Sequence, residues 1–249
     1  MSEREIIGDR TVLIDTGGEL KDGLRLVLRE DGLTLEGDGL SVKGDFTRML
    51  PRIQKNRIHT ELLVKAAKLK NAGPRPVAFD ATAGLGEDSF LLAAAGFHVV
   101  LFEYDPVIAA LLSDSLERAK NDPELHEIAE RMEFHEGDSI AELKKLADRG
   151  PGELFPDIIL LDPMFPERQK SALVKKKFQL LQRLESPCSD EAELLAAAEA
   201  VNPKKIIIKR PAKGPYLAGE KPDYSLRGKA VRYDCLLQND NRIQRKAKA

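Results

Sequence analysis

The sequence predicts an α/β chain: a mostly parallel sheet covered by helices on both faces, with a small antiparallel β-rich extension at its N-terminus. Three observations predict it. From Val77 onward, continuous apolar runs alternate with helical stretches, as parallel strands buried on both faces require. Before that point, residues 10–45 carry short apolar runs, several with period-two alternation, separated by turn residues. The 249 residues, 42% hydrophobic and 32% charged, suffice for one large core or one core with a small appendage. The expected division is an extension over 1–45, a main domain over 46–237 and a basic, frayed tail over 238–249.

In the extension, Thr11-Val12-Leu13-Ile14, Leu24 to Leu28, Leu33 to Glu36 and Leu40-Ser41-Val42 read as strands, and Glu30-Asp31-Gly32 and Gly37-Asp38-Gly39 as turns. Ile58, Leu62, Leu63, Ala66 and Leu69 recur at helical spacing, which predicts a helix over 56–70 closed by Pro74 and Pro76. Val77-Ala78-Phe79 is a short buried strand. A helix through Ser89 to Ala95 follows, with Gly96 as its C′ cap. Then come the strand Val99 to Phe102, a helix over Pro106 to Lys120, a strand over Met132 to His135 and the strong strand Ile158 to Leu161. Leu173, Phe178, Leu181 and Leu184 mark a further helix, Ala192 to Val201 another, and Ile206-Ile207-Ile208 a strand. There is no internal repeat.

No stretch approaches the roughly 20 uncharged apolar residues of a membrane helix, and the start Met1-Ser2-Glu3-Arg4-Glu5 lacks the basic and apolar regions of a signal peptide. The expectation is a soluble, cytoplasmic protein. Cys188 and Cys235, the two cysteines, have no metal-ligand spacing, so neither a disulfide framework nor a metal site is expected. His59, His98, His126 and His135 read as structural. The net charge of −2 hides an uneven distribution. Residues 1–162 hold 20 Lys and Arg against 31 Asp and Glu, or −11, whereas 163–249 hold 19 against 10, or +9. A second basic island, 43–70, holds 8 against 2 and carries +6. Basic regions of this kind bind phosphate backbones or are solvated surface.

Asp80-Ala-Thr-Ala-Gly84-Leu-Gly86 lies where the first parallel strand gives way to its helix, the edge at which open parallel sheets bind ligands. Its glycines permit a tight turn and close approach to the helix N-terminus. Glu103 ends the next strand, where a carboxylate can accept from both hydroxyls of an adenosine ribose. Gly84-x-Gly86-x-x-Ser89 also approximates a dinucleotide fingerprint, but Asp80, Glu87, Asp88 and Glu103 would surround a pyrophosphate with negative charge. The cationic sulfonium and ammonium of S-adenosylmethionine suit them better. Gly137-Asp138-Ser139 follows the third strand, where a carboxylate or hydroxyl meets an adenine amine or caps the next helix.

Asp162-Pro163-Met164-Phe165-Pro166 follows the fourth parallel strand. There Asp162 can accept from an exocyclic amine, Pro163 stiffens the loop and Phe165 can stack on a base. Such an amine is a poor nucleophile because its lone pair is delocalised, so catalysis would consist chiefly of holding its N–H groups with the lone pair aimed at the methyl donor. An ordinary turn with Phe165 in the core is the plainer alternative.

Together with Gln169 to Lys176 and Lys209-Arg210-Pro211, these motifs resemble the bacterial small-subunit ribosomal RNA methyltransferases that modify the exocyclic N2 of a guanine near the 3′ end of 16S rRNA. The likeness spans roughly residues 43–237, and the Asp-Pro-Met-Phe segment is its most specific part. It implies a Rossmann-like class I methyltransferase fold with a mostly parallel seven-stranded sheet. Beside the loop residues Asp80, Gly84 and Gly86, it implies S-adenosylmethionine contacts at Glu87, Asp88, Glu103, Tyr104, Asp138, Ser139 and Asp162, and it agrees with the reaction-loop reading of Asp162, Pro163 and Phe165. Lys170, Lys175, Lys176, Lys177, Lys209 and Arg210, extended by Arg52, Lys55 and Arg57, would bind phosphates around a splayed guanine in ribosomal RNA or the small subunit. Other classes stay open at this point: another RNA, DNA or small-molecule N-methyltransferase, a non-catalytic rRNA assembly factor, and an NAD enzyme. Tyr224, Arg232 and Tyr233 fall in the last strands and could serve core or RNA.

Overall fold

The computed structural model describes residues 3–7, 10–14, 23–70, 73–152, 154–163, 180–181, 184 and 191–238, the first two segments by their backbone. The chain opens with an antiparallel hairpin, β1 (Glu3–Ile7) and β2 (Arg10–Ile14), paired from Glu3 opposite Ile14 to Ile7 opposite Arg10. The strand β1 adds to what the sequence pattern announced. A second, three-stranded antiparallel sheet follows, β3 (Arg25–Arg29), β4 (Gly32–Gly37) and β5 (Leu40–Val42).

A short 3₁₀ turn over Phe46–Met49 leads into α1 (Leu50–Ile53), then a second 3₁₀ turn over Ile58–Thr60 and α2 (Leu62–Ala67). The single helix expected over 56–70 is therefore broken. Glu61 is extended at φ −60°, ψ 132°, and its carboxylate takes both prongs of the Arg52 guanidinium at 3.0 and 2.8 Å. Periodicity registers which side chains are apolar, not that an ion pair holds one residue out of the helix. Lys205 Nζ then closes α2 by donating to the carbonyls of Ala66 and Lys68 at 2.6 and 2.7 Å.

The main body runs β6 (Val77–Asp80), α3 (Glu87–Ala94), β7 (His98–Glu103), α4 (Pro106–Lys120), α5 (His126–Ala129), β8 (Met132–Glu136), α6 (Ser139–Arg149), β9 (Ile158–Leu161), α7 (Glu191–Val201), β10 (Lys205–Pro211), β11 (Tyr224–Arg227) and β12 (Val231–Leu237). Of the helix expected around Leu173 to Leu184, positions 180, 181 and 184 are helical; Leu173 and Phe178 lie outside the described residues, as does nearly all of the expected tail, 239–249. Two termini show why the helices begin where they do. Asp105 accepts from the amides of Val107 and Ile108 at 2.9 and 3.0 Å with Pro106 in the first turn of α4, and Asp138 accepts from Ile140 at 2.9 Å to start α6.

These strands form one seven-stranded sheet in the order β11-β12-β10-β9-β6-β7-β8. Neighbours from β10 to β8 are parallel, and β12 is antiparallel to both β10 and β11. The chain builds outward from β6 through β7 to β8, then returns to β9 on the other side of β6. The order thus reverses between β6 and β9, and the carboxyl ends of these two strands are the position at which open parallel sheets bind their ligands.

Both faces of the sheet are covered. One packs Ala78, Val99, Leu101, Ile158 and Leu160 against α2, α3, α4 and α5, including Phe90, Leu91, Leu112 and Leu116. The other packs Phe79, Val100, Ile159, Leu161, Ile206 and Ile208 against α6 and α7 through Leu143, Leu194 and Leu195. The helix α4 has a second apolar side. Its Ile108, Ala110 and Leu111 meet Leu33 and Leu35 of β4, both fully buried, and Val42 of β5. Each such leucine contributes about 1.5–3 kcal/mol on burial, which anchors the extension to the main body. Arg118 of α4 ties the same junction by pairing with Asp114 at 2.8 Å and donating to the Gly44 carbonyl at 2.6 Å.

Candidate active site

The loop from Asp80 to Gly86 is shaped by its two glycines and by one buried acid. Gly84 and Gly86 both have positive φ, +56° and +77°, which favours glycine. A side chain at Gly86 would strike Leu112 and Phe46 at 2.7 and 3.1 Å, so packing also demands glycine there, whereas Gly84 borders open space. Asp80 is 1% exposed; it accepts from Ser89 Oγ at 2.6 Å and from the Thr82 amide at 3.1 Å. Burial outweighs these two bonds, and with Asp88 and Asp162 nearby its carboxyl is pushed up to about 7. Glu103 accepts from the Gly84 amide at 2.8 Å and the Asp105 amide at 2.9 Å, so the end of β7 holds the loop that follows β6. Burial raises its pKa as well.

The reaction loop is fastened to this first loop. The Asp162 amide donates to Thr82 Oγ1 at 2.6 Å, and Pro163 is buried beside it. The Asp162 carboxylate meets Lys209 Nζ at 2.9 Å, and the same ammonium meets Asp88 at 2.6 Å. Burial disfavours the charge on Lys209, but Asp88 and Asp162 overcome this and raise its pKa well above the ordinary lysine value. Lys209 is therefore a permanent cation. Tyr233 of β12 stands near these groups; burial, then the Asp88 carboxylate, raises its phenol far above the usual range. Arg52 approaches from α1, close enough to feel Asp88 and Glu87.

S-adenosylmethionine, which the sequence resemblance implies, fits this donor set. Each Glu103 oxygen has one backbone donor and keeps further acceptor capacity toward a hydroxyl pair. Gly84 gives close approach, and the carboxylates of Asp80, Glu87, Asp88, Glu103 and Asp162 favour a cation. Around the same edge, Tyr104 is 76% exposed, Glu87 is exposed in the first turn of α3, Ser139 is buried and Asp138 is spent on capping α6. Thus Asp80, Gly84, Gly86, Asp88, Glu103 and Asp162 are joined by bonds within one site, and Tyr104, Asp138 and Ser139 follow at the ends of the neighbouring strands.

Two expected phosphate ligands are corrected. Lys209 is committed to two carboxylates, and Arg210 is 1% exposed, paired with Glu191 at 3.0 Å and donating to the Pro215 carbonyl. Arg210 is closed off from solvent, and the partly exposed Lys209 ammonium is already matched by two acids, so neither offers its charge to a phosphate. Lys55 and Arg57 are exposed on the turn after α1, whereas Arg52 is half-buried against Glu61. Phe165, Lys170, Lys175, Lys176 and Lys177 lie outside the described residues. Sequence reasoning missed Thr82 and the bridging function of Lys209, and left Tyr233 open between core and RNA. One signal was available: Asp162 and Lys209 each directly follow an apolar run, and β9 and β10 pair Leu161 with Ile208.

Among the described residues, no cluster of three or more His, Cys, Asp and Glu is grouped to hold a metal ion, and no helix is long and apolar enough to cross a membrane. A family model for SAM-dependent methyltransferases matches residues 14–238. The chain is 41% identical over 205 residues to the ribosomal RNA small subunit methyltransferase J of Neisseria meningitidis, covering 82% of this chain and 80% of that one. The protein of the same name from Pseudoalteromonas atlantica is 45% identical over 180 residues, 72% of this chain and 69% of that one. A crystal structure of a SAM-dependent methyltransferase from Neisseria gonorrhoeae superposes with a TM-score of 0.67 at 32% identity, covering 89% of this chain and 85% of that one.

Proposed function

The chain belongs to the SAM-dependent methyltransferase family, and on that premise we propose that it methylates the exocyclic N2 of a guanine in the 16S RNA of the small ribosomal subunit. The observation that carries this reading is Asp162, held by Thr82 and Lys209 at the edge where the cofactor loop lies. The relatives that share 40–45% of their residues with this chain bear the name of small-subunit rRNA methyltransferases, which supplies the substrate class. When bound, the cofactor supplies an electrophilic methyl group on a sulfonium.

The chain's own residues do the rest. The Glu103 carboxylate and the Gly84 turn hold the ribose side of the cofactor. Asp162 accepts an N–H of the target amine and so directs the nitrogen lone pair outward. Thr82 and Lys209 keep that carboxylate from swinging, so the entropic cost of orientation is met by the fold. A strong general base is not needed, because the nitrogen becomes acidic once methylated. Lys55 and Arg57, with Arg52 behind them and the lysines of 170–177, are the phosphate-facing candidates around a base taken out of its stack.

Mass-spectrometric mapping of rRNA from a strain lacking the protein tests the reading. Loss of one N2-methylguanine in 16S rRNA, restored by the wild-type gene, is the expected result; unchanged rRNA methylation refutes it. In the purified protein, Asp162→Ala is expected to reduce transfer by at least about 100-fold while cofactor affinity by calorimetry changes little.

A further inference from the structure

The ammonium of Lys209 lies between two acids that serve different halves of the site. Asp88 sits in the first turn of α3, behind the cofactor loop, and Asp162 opens the reaction loop. Lys209 reaches both from the end of β10, at 2.6 and 2.9 Å, with its side chain 21% exposed. Two carboxylates this close would repel each other and rotate apart without the cation. Strand pairing sets the position, since Ile208 is the β10 partner of Leu161 in β9 and the following residues are Lys209 and Asp162. Among the described residues, the other charged or titratable groups around the bridge are Asp80 at the end of β6, Glu87 of α3, Tyr233 of β12 and Arg52 of α1, itself paired with Glu61.

We propose that Lys209 is a positioning residue for methyl transfer: braced by Asp88, its ammonium fixes the Asp162 carboxylate, as an anion, in the orientation that receives the acceptor amine. The inference rests on the reading of Asp162 as the acceptor-side residue. Lys209 cannot act as a base, because flanking carboxylates keep it protonated. Its contribution is to hold an acceptor of hydrogen bonds still and ionised in a partly dry site, where a wandering or protonated carboxyl would offer the amine the wrong face or a competing donor.

The test uses wild type, Lys209→Gln, Lys209→Arg and the double variant Lys209→Gln with Asp88→Asn, on small-subunit rRNA and on the free protein. For Lys209→Gln the expected results are a loss of about 100-fold or more in kcat, a change of less than about threefold in the cofactor KM, and an acid limb of the pH profile moved up by roughly 1–3 units. Lys209→Arg is expected to recover much of kcat and to leave the acid limb near its wild-type position. The double variant restores the net charge but not the grip, so its acid limb returns toward wild type while kcat stays low. In the cofactor-free protein, carbon NMR of the aspartate carboxyls is expected to show Asp162 titrating at higher pH in Lys209→Gln than in wild type. An unmoved Asp162 titration overturns the proposal, as does a normal kcat in Lys209→Gln. Loss of kcat with neither the acid limb nor the titration moved assigns Lys209 to structure alone and also overturns it. A wild-type protein that binds cofactor yet methylates no small-subunit rRNA overturns the functional reading instead; the carboxyl titration is read independently of it.

Discussion

Asp80 is an acid taken almost wholly out of water: buried at the end of β6, satisfied by one hydroxyl and one amide, and pushed up to about 7. Its folded-state pKa is above the unfolded value, so its stabilising contribution is full below about pH 4 and is lost as pH rises through about 7. Asp80→Asn keeps an acceptor for the Thr82 amide, turns an NH2 donor toward Ser89 Oγ, which can accept, and cannot ionise. The difference in unfolding free energy between wild type and Asp80→Asn is expected to move by up to about 4 kcal/mol, against wild type, from pH 4 to pH 8. Urea denaturation across that range checks it. At this scale the sequence was informative where a polar residue ends an apolar run, as Asp80, Glu103 and Asp162 do. It misled at Lys209 and Arg210, because charge counted along the chain does not say which cations are already matched to acids across strands.

Among the elements, the loop that leaves β10 is held by one buried arginine. Arg232 of β12, 2% exposed, pairs with Asp234 at 2.9 Å and donates to the carbonyls of Pro211 and Gly214 at 2.8 Å and Pro215 at 3.1 Å. Its guanidinium also lies over the Tyr216 ring at 5.1 Å. Arg232→Met strips buried Asp234 of its cation, leaving it Ser225 Oγ as a donor, and removes the guanidinium from all three carbonyls; it is expected to destabilise the protein by about 3–5 kcal/mol in equilibrium unfolding. Most helix and strand boundaries were legible because apolar periodicity and caps agreed, as at Pro106 to Lys120 with Asp105 before it. The helix expected over 56–70 was not, since Arg52 and Glu61 meet across a stretch of chain that no local period describes.

For the molecule as a whole, charge is sorted by place. The loop after β10 and the turn between β11 and β12 share the carboxyl edge of the sheet, because β12 runs antiparallel to β10. Lys213 of that loop, Arg227 at the end of β11 and Lys229 of that turn are all exposed at this edge. Replacing these three with alanine is expected to weaken small-subunit rRNA binding and to flatten the slope of log K against log salt by about 2, at roughly 0.7–0.9 for each phosphate that is no longer neutralised. Filter binding across a salt series checks it, and an unchanged slope would place the three in solvent. The sequence disclosed that the C-terminal third is basic, but only the antiparallel return of β12 brings these residues to the reaction edge. The opposite sides of α4 belong to two cores, and this bears on the order in which the chain is made. On the ribosome, β3 to β5 emerge before the helix they cover, so this small sheet stays without its wall until Leu111 has left the exit tunnel.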